Sequence, residues 1–318
     1  MSRTARWARP VGGASILAVL FWRSGSGPFL HGLHAVRGWP LLAAAGITAG
    51  TTTCSALRWR LVARGLGVEL PLPAAIAYYY RSQFLNSALP GGVLGDLHRG
   101  LRQGRAAGDV GRGLRAVAWD RLAGQLVQAM LAMVVLAAFA SPVRAVLPVL
   151  GVSLLAVGVL LAALIAAGWR NSRTSRLARV IRTIRTDLAS LRRPAGWLIA
   201  LSSAAVVAGH AAIFLIAART AGTVGSPARL LPLAMLVLLA MAVPLSVGGW
   251  GPREGVAAWA FGAAGLGMSQ GITAATVYGV MAFAATLPGA AVLLFGWLRG
   301  PRRPAHQEQP RLPVGAHG

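Results

Sequence analysis

The sequence has few charged residues, and nearly all of them carry the same sign. Charged side chains make up 12% of the 318 residues, and only seven residues are acidic. A soluble domain usually has about twice that share of charged residues. Hydrophobic residues make up 56% of the chain, and the mean hydropathy is +0.62. This composition excludes a soluble enzyme, a disordered chain and a secreted disulfide scaffold.

Cysteine is almost absent, since Cys54 is the one cysteine of the chain. A single cysteine can form neither an internal disulfide nor a cysteine-based metal cluster. The sequence also lacks the H-E-x-x-H, P-loop and G-x-S-x-G patterns that mark common catalytic sites. Its six histidines are scattered along the chain. We therefore expect no metal site, no cofactor and no enzymatic reaction.

Lysine is missing altogether, so all 31 basic residues are arginine, and the net charge is +24. A strongly basic chain is attracted to anionic membrane surfaces or to nucleic acid. Nucleic acid is the weaker interpretation, because the arginines separate apolar stretches instead of forming one basic domain. We expect membrane lipids to be the partners.

Charge-free windows predict membrane-spanning helices, because about 20 apolar residues cross a bilayer as a helix. The windows are residues 38–57, 122–143, 145–169, 194–218, 230–252 and 255–298. Residues 10–22 form a shorter window, which we interpret as a retained first span because no A-x-A-like cleavage site follows it. An apolar stretch at residues 70–89 is interrupted by Arg81 and Asn86. Six full spans with two re-entrant segments and eight full spans both fit this pattern.

The placement of arginine predicts the orientation, since cytoplasmic loops are rich in basic residues. Arginines cluster before residue 10, within residues 58–64, 99–115 and 170–193, and after residue 298. This predicts a multi-pass protein with both termini in the cytoplasm and residues 299–318 as a disordered tail. In residues 170–193, apolar residues at helical spacing face away from arginines, which predicts a basic amphipathic helix on the cytoplasmic leaflet. A loop that only fixes the topology is the alternative.

Two segments combine charge with clustered glycine and proline inside otherwise apolar sequence. The first contains Pro90, Gly91, Gly92, Gly95 and Asp96, and the second contains Pro244, Gly248, Gly249, Gly251 and Glu254. Proline and glycine end a helix and expose backbone groups, which persist in hydrocarbon only when they are buried in protein or line a watery cavity. A matched pair of such segments is typical of a transporter site built from inverted repeats.

Charged residues inside a membrane are costly and mark candidate functional sites. The candidates are Arg81, Asn86, Asp96, Arg99, Asp120, Arg121, Arg253 and Glu254. Glycine-rich backbone N–H groups bind anions and arginine binds phosphate oxygens, so these residues suit a phosphate-bearing lipid headgroup. The partner of Glu254 is either Arg253 or an arginine of the first segment. The simpler alternative places Asp96, Arg99 and the pair Asp120–Arg121 at the cytoplasmic interface, as caps and anchors.

Three ordered motifs carry a resemblance to a known family. They are YYYRSQFLNSALPGGVLGDLHR at residues 78–99, AWDRLAGQ at 118–125 and VPLSVGGWGPREG at 243–255. They resemble the signatures of the lysylphosphatidylglycerol synthase transmembrane region, the flippase-like family, over residues 10–298. The resemblance implies one lipid-flippase-like domain at residues 1–298 in a bacterial plasma membrane, with the residues named above as functional. One departure is Leu94-Gly95 before Asp96, where the family commonly has Gly-Gly.

The function that the resemblance implies is translocation of an anionic or aminoacylated phospholipid, or of a related lipid-linked headgroup. Bifunctional members carry a soluble aminoacyl-transfer domain after the membrane region, whereas 20 residues follow Leu298 here. We therefore expect this chain not to synthesise lysyl-phosphatidylglycerol, so that a separate lipid-modifying enzyme would be a partner. Two alternatives are open. One is an integral-membrane transferase acting on polyprenyl-phosphate-linked sugars, with Asp96 or Glu254 as base. The other is a non-transporting partner of an envelope lipid pathway.

Overall fold

A computed structural model describes residues 38–89, 92–139, 141–153, 176–191, 196–242 and 250–298, together with residues 22, 26–27, 30–31, 36, 155–156 and 159. Several predictions from the sequence therefore lie outside the described residues. They are the first span at residues 10–22, most of the window at 145–169, the tail at 299–318, and Pro90, Gly91, Pro244, Gly248 and Gly249.

Within the described ranges the chain is helical and has no β-strand. The α-helices are α1 (Trp39–Gly65), α2 (Leu72–Ala88), α3 (Leu94–Ala106), α4 (Val110–Ala138), α5 (Arg176–Leu191), α6 (Gly196–Thr220), α7 (Pro227–Ala240), α8 (Pro252–Ala263), α9 (Met268–Ala285) and α10 (Leu287–Leu298). A 3-10 helix, Pro142–Val146, follows α4.

Three described helical segments are long and apolar enough to cross a membrane. They are α4, α6 and the run Met268–Phe295 that joins α9 to α10. Shorter apolar helices cover Pro142–Ser153 and Pro227–Met241. Helix α1 has 27 residues, and its arginines at positions 58, 60 and 64 all lie toward its C-terminal end. The expected all-α polytopic membrane fold is confirmed.

One end of the bundle collects many of the arginines, and we call it the arginine-rich end. It is formed by the C-terminus of α1, the N-termini of α4 and α6, and helix α5. The side chain of Asp187 on α5 accepts hydrogen bonds from Arg115 Nε at 3.2 Å and from Trp119 Nε1 at 3.0 Å. Both donors lie on α4, so this carboxylate holds α5 against the bundle. The helix predicted within residues 170–193 is therefore present over Arg176–Leu191.

Helices α2 and α3 form a hairpin that enters the bundle from the arginine-rich end. Tyr79 on α2 contacts Arg58 near the end of α1, and Gln83 contacts Thr52 at the middle of α1. The chain therefore moves inward along α2, and α3 brings it back to the start of α4. Helix α3 has 13 residues, about 20 Å, which is too short to cross a hydrocarbon layer of about 30 Å.

Helices α7 and α8 form a second hairpin, which enters from the opposite end. At that end Arg229 Nη2, at the start of α7, donates to the carbonyl of Ala264, just after α8, at 2.6 Å. The two helices have 14 and 12 residues, about 21 and 18 Å. The two hairpins thus enter from opposite ends, which is the arrangement that inverted repeats produce.

The second hairpin corrects two of the predicted spans. The window at residues 230–252 is not one continuous span, because α7 ends at Ala240 and α8 begins at Pro252. The window at 255–298 holds most of α8 and the span-length run formed by α9 and α10. The sequence stays free of charged residues where α7, α8 and α9 end, so a charge-free window cannot locate these helix ends. In the described part of the chain, full spans with two re-entrant hairpins fit better than eight full spans.

Close packing of the first hairpin depends on Gly95, because a Cβ atom there would lie 2.8 Å from Ser82 Cα. We expect Gly95→Ala to destabilise the protein by about 1–3 kcal/mol, the usual cost of overpacking. Gly46→Ala is the control, since Gly46 lies within α1 and has no atom within 4 Å of the added Cβ. Thermal unfolding in detergent measures both, and an equal melting temperature for the two variants would contradict the prediction.

Candidate functional site

Five charged side chains from α1, α3 and α4 form what we call the arginine–aspartate network. Its members are Arg58, Asp96, Arg99, Asp120 and Arg121. Asp120 Oδ1 accepts from Arg58 Nε at 2.8 Å, and Asp120 Oδ2 accepts from Arg99 Nη2 at 2.6 Å. Arg99 Nε donates to Asp96 Oδ1 at 2.9 Å, and Arg121 Nη2 donates to Asp96 Oδ2. The five residues are therefore linked continuously.

Four of the five side chains of the network are buried among the helices. Arg99 and Asp120 are fully buried, and Arg58 and Asp96 are 5% and 8% exposed. Only Arg121 reaches a more open space, with 43% of its side chain exposed. Charges buried this deeply need partners for both signs, and the network supplies them.

Neutral side chains complete the hydrogen bonds of both aspartates. Asp96 accepts from Ser82 Oγ at 3.1 Å and from Asn86 Nδ2 at 2.9 Å, and Asn86 Oδ1 accepts from the Gly95 backbone N–H at 2.8 Å. Asp120 Oδ2 also accepts from the Tyr79 hydroxyl at 3.2 Å. The predicted residues Asn86, Gly95 and Asp96 thus join α2 to α3 directly.

Two aromatic rings and a serine hold the buried arginines in place. The guanidinium of Arg99 lies 4.3 Å from the ring centroid of Tyr79 and 4.7 Å from that of Trp59. Arg58 Nη1 donates to Ser203 Oγ on α6 at 3.2 Å. Guanidinium groups stack well on aromatic faces, and this attraction strengthens when water is excluded. The network therefore touches α1, α2, α3, α4 and α6.

Arg253 and Glu254 form a second buried charge pair at the start of α8. Glu254 is fully buried, and Arg253 is 3% exposed. Glu254 Oε1 accepts from Arg253 Nε at 2.8 Å, and Oε2 accepts from the Gly251 backbone N–H at 2.7 Å. Of the two predicted partners for Glu254, the structure has Arg253. Gly251 has φ of 109°, which favours glycine, so its predicted role in the broken backbone is also present.

The guanidinium of Arg253 lies among aromatic rings that face the middle of the bundle. It is 4.7 Å from the ring centroid of Trp250 and 5.7 Å from that of Tyr278. It also packs on Gly279, where an added Cβ would overlap its guanidinium. The Tyr278 hydroxyl in turn lies 3.1 Å from His210 Nδ1 on α6.

The last predicted site residue, Arg81, faces away from the network. It is buried, and its Nη2 donates to the carbonyl of Val292 on α10 at 3.0 Å. It therefore ties the first hairpin to the last helix, and no contact in the described residues brings it to Asp96 or Asp120. Gly92 lies between α2 and α3 with φ of 61°, as expected of a residue in a broken segment.

A polar cavity separates the two charged groups, and we call it the central cavity. It consists of two adjoining spaces of about 200 and 210 Å³, which share Arg121, Gln125, Gln128, Val206, Val207 and His210. One space reaches Arg58, Tyr79 and Gln83, and the other reaches Tyr278 and Met241. Each space could hold six or seven waters at about 30 Å³ per molecule. The cavity therefore runs from the arginine–aspartate network to the aromatic rings around Arg253.

Several residues of this site were missed from the sequence. Arg58 marks the arginine-rich end, but its role in the network is not visible from its position at the end of α1. Gln125 and Gln128 follow Arg121 at spacings of four and seven residues, so all three share one helix face. Polar residues at helical spacing inside an apolar window are the signal that could have identified them.

The buried charges, the two re-entrant hairpins and the central cavity define a polytopic α-helical membrane protein with a polar interior site. The chain belongs to the family described as the lysylphosphatidylglycerol synthase TM region, whose sequence model matches residues 6–289. No curated protein and no solved structure matches the chain.

Among the site residues, we expect substitution of Asp120 to lower the free energy of unfolding the most, since Asp120 pairs with two buried arginines. We expect Asp120→Asn to destabilise the protein by about 3–5 kcal/mol, because buried Arg58 loses its carboxylate partner and Arg99 keeps only Asp96. The control is Asp109→Asn, which alters an ion pair of 3.3 Å whose side chains are 42% exposed. Asparagine can still cap α4 there, so we expect a loss under about 1 kcal/mol. Similar unfolding temperatures for the two variants would contradict this ranking.

Proposed function

We propose that the protein translocates an anionic or aminoacylated phospholipid, or a related lipid-linked headgroup, across the bacterial plasma membrane. The observation that carries this proposal is the central cavity. It is lined by Arg121, Gln125, Gln128 and His210, in a bundle whose outer surface is apolar. Its lining includes Gln83 of the first hairpin and Leu238 of the second, and these hairpins enter from opposite ends. We therefore propose that headgroups reach it from both leaflets.

The proposed path keeps the headgroup in protein and the acyl chains in lipid. The headgroup exchanges its water for the polar side chains of the cavity, which offset the cost of leaving water. The two hairpins are short and enter from opposite ends, so movement of one hairpin relative to the rest of the bundle would alternate the access. This process consumes no nucleotide.

The hydrogen bonds of the buried carboxylates favour transport over a chemical reaction. A catalytic base needs a carboxylate that is free to take a proton from the substrate. Asp96, Asp120 and Glu254 each accept hydrogen bonds on both oxygens, from arginine and at least one further donor. Each would first have to break a buried ion pair to act. We therefore propose that the lipid leaves unmodified.

The proposed orientation places the arginine-rich end in the cytoplasm, with both termini on that side. A reporter that fluoresces only in the cytoplasm, fused after residue 318, should be bright in a bacterial host. An alkaline phosphatase fused at the same point should be inactive, because that enzyme folds only outside. The reverse pattern would contradict the orientation.

Transport should stop when the central cavity is filled. Val206 lines both spaces of the cavity, so Val206→Trp places a bulky ring inside it. Liposomes containing the protein and fluorescent phosphatidylglycerol, lysyl-phosphatidylglycerol or polyprenyl phosphate would report the labelled fraction that changes leaflet. We expect Val206→Trp to slow this movement at least tenfold, a change of about 1.4 kcal/mol in the barrier.

The matched control is Leu201→Trp, on the same helix but 59% exposed on the outer surface. It should leave transport unchanged, and both variants should keep the melting temperature of the parent. If the folded parent moves none of the three lipids, the transport proposal fails. Release of a modified lipid would favour the transferase, whereas no movement and no modification would favour the non-transporting partner.

A further inference from the structure

The carboxylates that approach the central cavity are already neutralised by arginine. Asp96 and Asp120 lie within the arginine–aspartate network, and Glu254 is paired with Arg253. No acidic residue lines the cavity in the described part of the chain. Residues 90–91 and 243–249, which the structure does not describe, contain no acidic residue in the sequence. A cationic group that entered the cavity would therefore find no unpaired carboxylate.

The arginine–aspartate network has a net positive charge, which favours an anionic group in the cavity. Three arginines, Arg58, Arg99 and Arg121, face two aspartates, Asp96 and Asp120, which leaves one positive charge in excess. The excess falls on the side of Asp96, which Arg121 shares with Arg99. One phosphate group of a lipid headgroup would supply the missing negative charge.

Arg121 is the arginine of the network that can change partner at low cost. If Arg121 leaves Asp96, that carboxylate still accepts from Arg99 Nε, Ser82 Oγ and Asn86 Nδ2. Arg58 and Arg99, by contrast, are 5% and 0% exposed, so a guanidinium that left Asp120 would remain buried among the helices. Arg121 also lines both spaces of the cavity and is the most exposed member of the network.

We infer that the central cavity selects a lipid headgroup with a phosphate and no cationic group, and that Arg121 binds this phosphate in exchange for Asp96. The inference rests on the proposed function for its lipid substrate. Phosphatidylglycerol has the required charge. Lysyl-phosphatidylglycerol carries two ammonium groups beside its phosphate, so its net charge has the same sign as the excess charge of the network. The cavity therefore discriminates against the aminoacylated lipid.

Competitive binding tests this selectivity without requiring transport. The full-length protein would be incubated in mixed micelles with equal amounts of phosphatidylglycerol and lysyl-phosphatidylglycerol, and the retained lipids quantified by mass spectrometry. We expect phosphatidylglycerol to exceed lysyl-phosphatidylglycerol about tenfold or more. Arg121→Gln should lower the retained phosphatidylglycerol to the level of a cavity-filled Val206→Trp protein. Arg105→Gln, which changes an exposed arginine of α3 outside the cavity, should change nothing.

A negative charge added to the cavity should weaken its preference for phosphatidylglycerol over lysyl-phosphatidylglycerol. Gln128→Glu adds an acidic group to the lining, two helical turns or about 10 Å from Arg121. This is too far for the new carboxylate to replace Asp96 as the partner of Arg121. We expect the ratio of lysyl-phosphatidylglycerol to phosphatidylglycerol to rise about tenfold. Gln128→Met has a similar volume and no charge, so it should not raise the ratio.

The outcomes separate the inference from the proposed function. Retention of lysyl-phosphatidylglycerol equal to or above that of phosphatidylglycerol by the parent would overturn the inference, as would retention that does not depend on Arg121. The transport proposal would survive both results if labelled lipids still change leaflet. Selective, Arg121-dependent binding of phosphatidylglycerol without any leaflet exchange would uphold the inference and remove the transport proposal.

Discussion

The carboxylate of Asp120 is the contact on which the rest of the interior depends. It lies on α4, and its two oxygens accept hydrogen bonds from Arg58 on α1, Tyr79 on α2 and Arg99 on α3. Arg58 also reaches α6 through Ser203. One buried carboxylate thus fixes the position of five helices. Helices in a membrane gain little from hydrophobic burial against each other, so such polar contacts are what specify their arrangement.

Each of the two hairpins is held by a buried carboxylate at the start of its second helix. In each, a chain that turns back within the bundle places a charged residue of its second helix, Asp96 or Glu254, against arginine and a backbone or amide donor. In each hairpin a side chain accepts a hydrogen bond from a glycine N–H near the start of the second helix, Gly95 or Gly251, which is how irregular backbone persists at membrane depth. The charged groups of the two hairpins differ in net charge. The pair Arg253–Glu254 is neutral, whereas the arginine–aspartate network has one arginine more than it has aspartates.

Much of the fold was predictable from the sequence, because helices in a membrane require long stretches without charged residues. Charge-free windows identified α1, α4 and α6, and the Gly/Pro clusters identified both hairpins. The windows failed at residues 230–252, where the chain turns back within apolar sequence. Of the candidate residues chosen from the sequence, Asp96, Arg99, Asp120 and Arg121 lie together in one network, a meeting that the sequence did not predict, whereas Arg81 turns to α10. The contribution of Arg58 depends on helix packing over 62 residues of sequence separation, which no local pattern encodes.

The excess of one arginine in the network also has an electrical consequence. An elementary charge that crosses a membrane potential of 100 mV changes its free energy by about 2.3 kcal/mol. If the protein translocates an anionic headgroup across a bacterial plasma membrane, as proposed, the inner side is negative, so outward passage lowers the electrical free energy of the headgroup and return raises it. The resting voltage of the cell alone would then make outward passage the favoured direction, without a coupled ion.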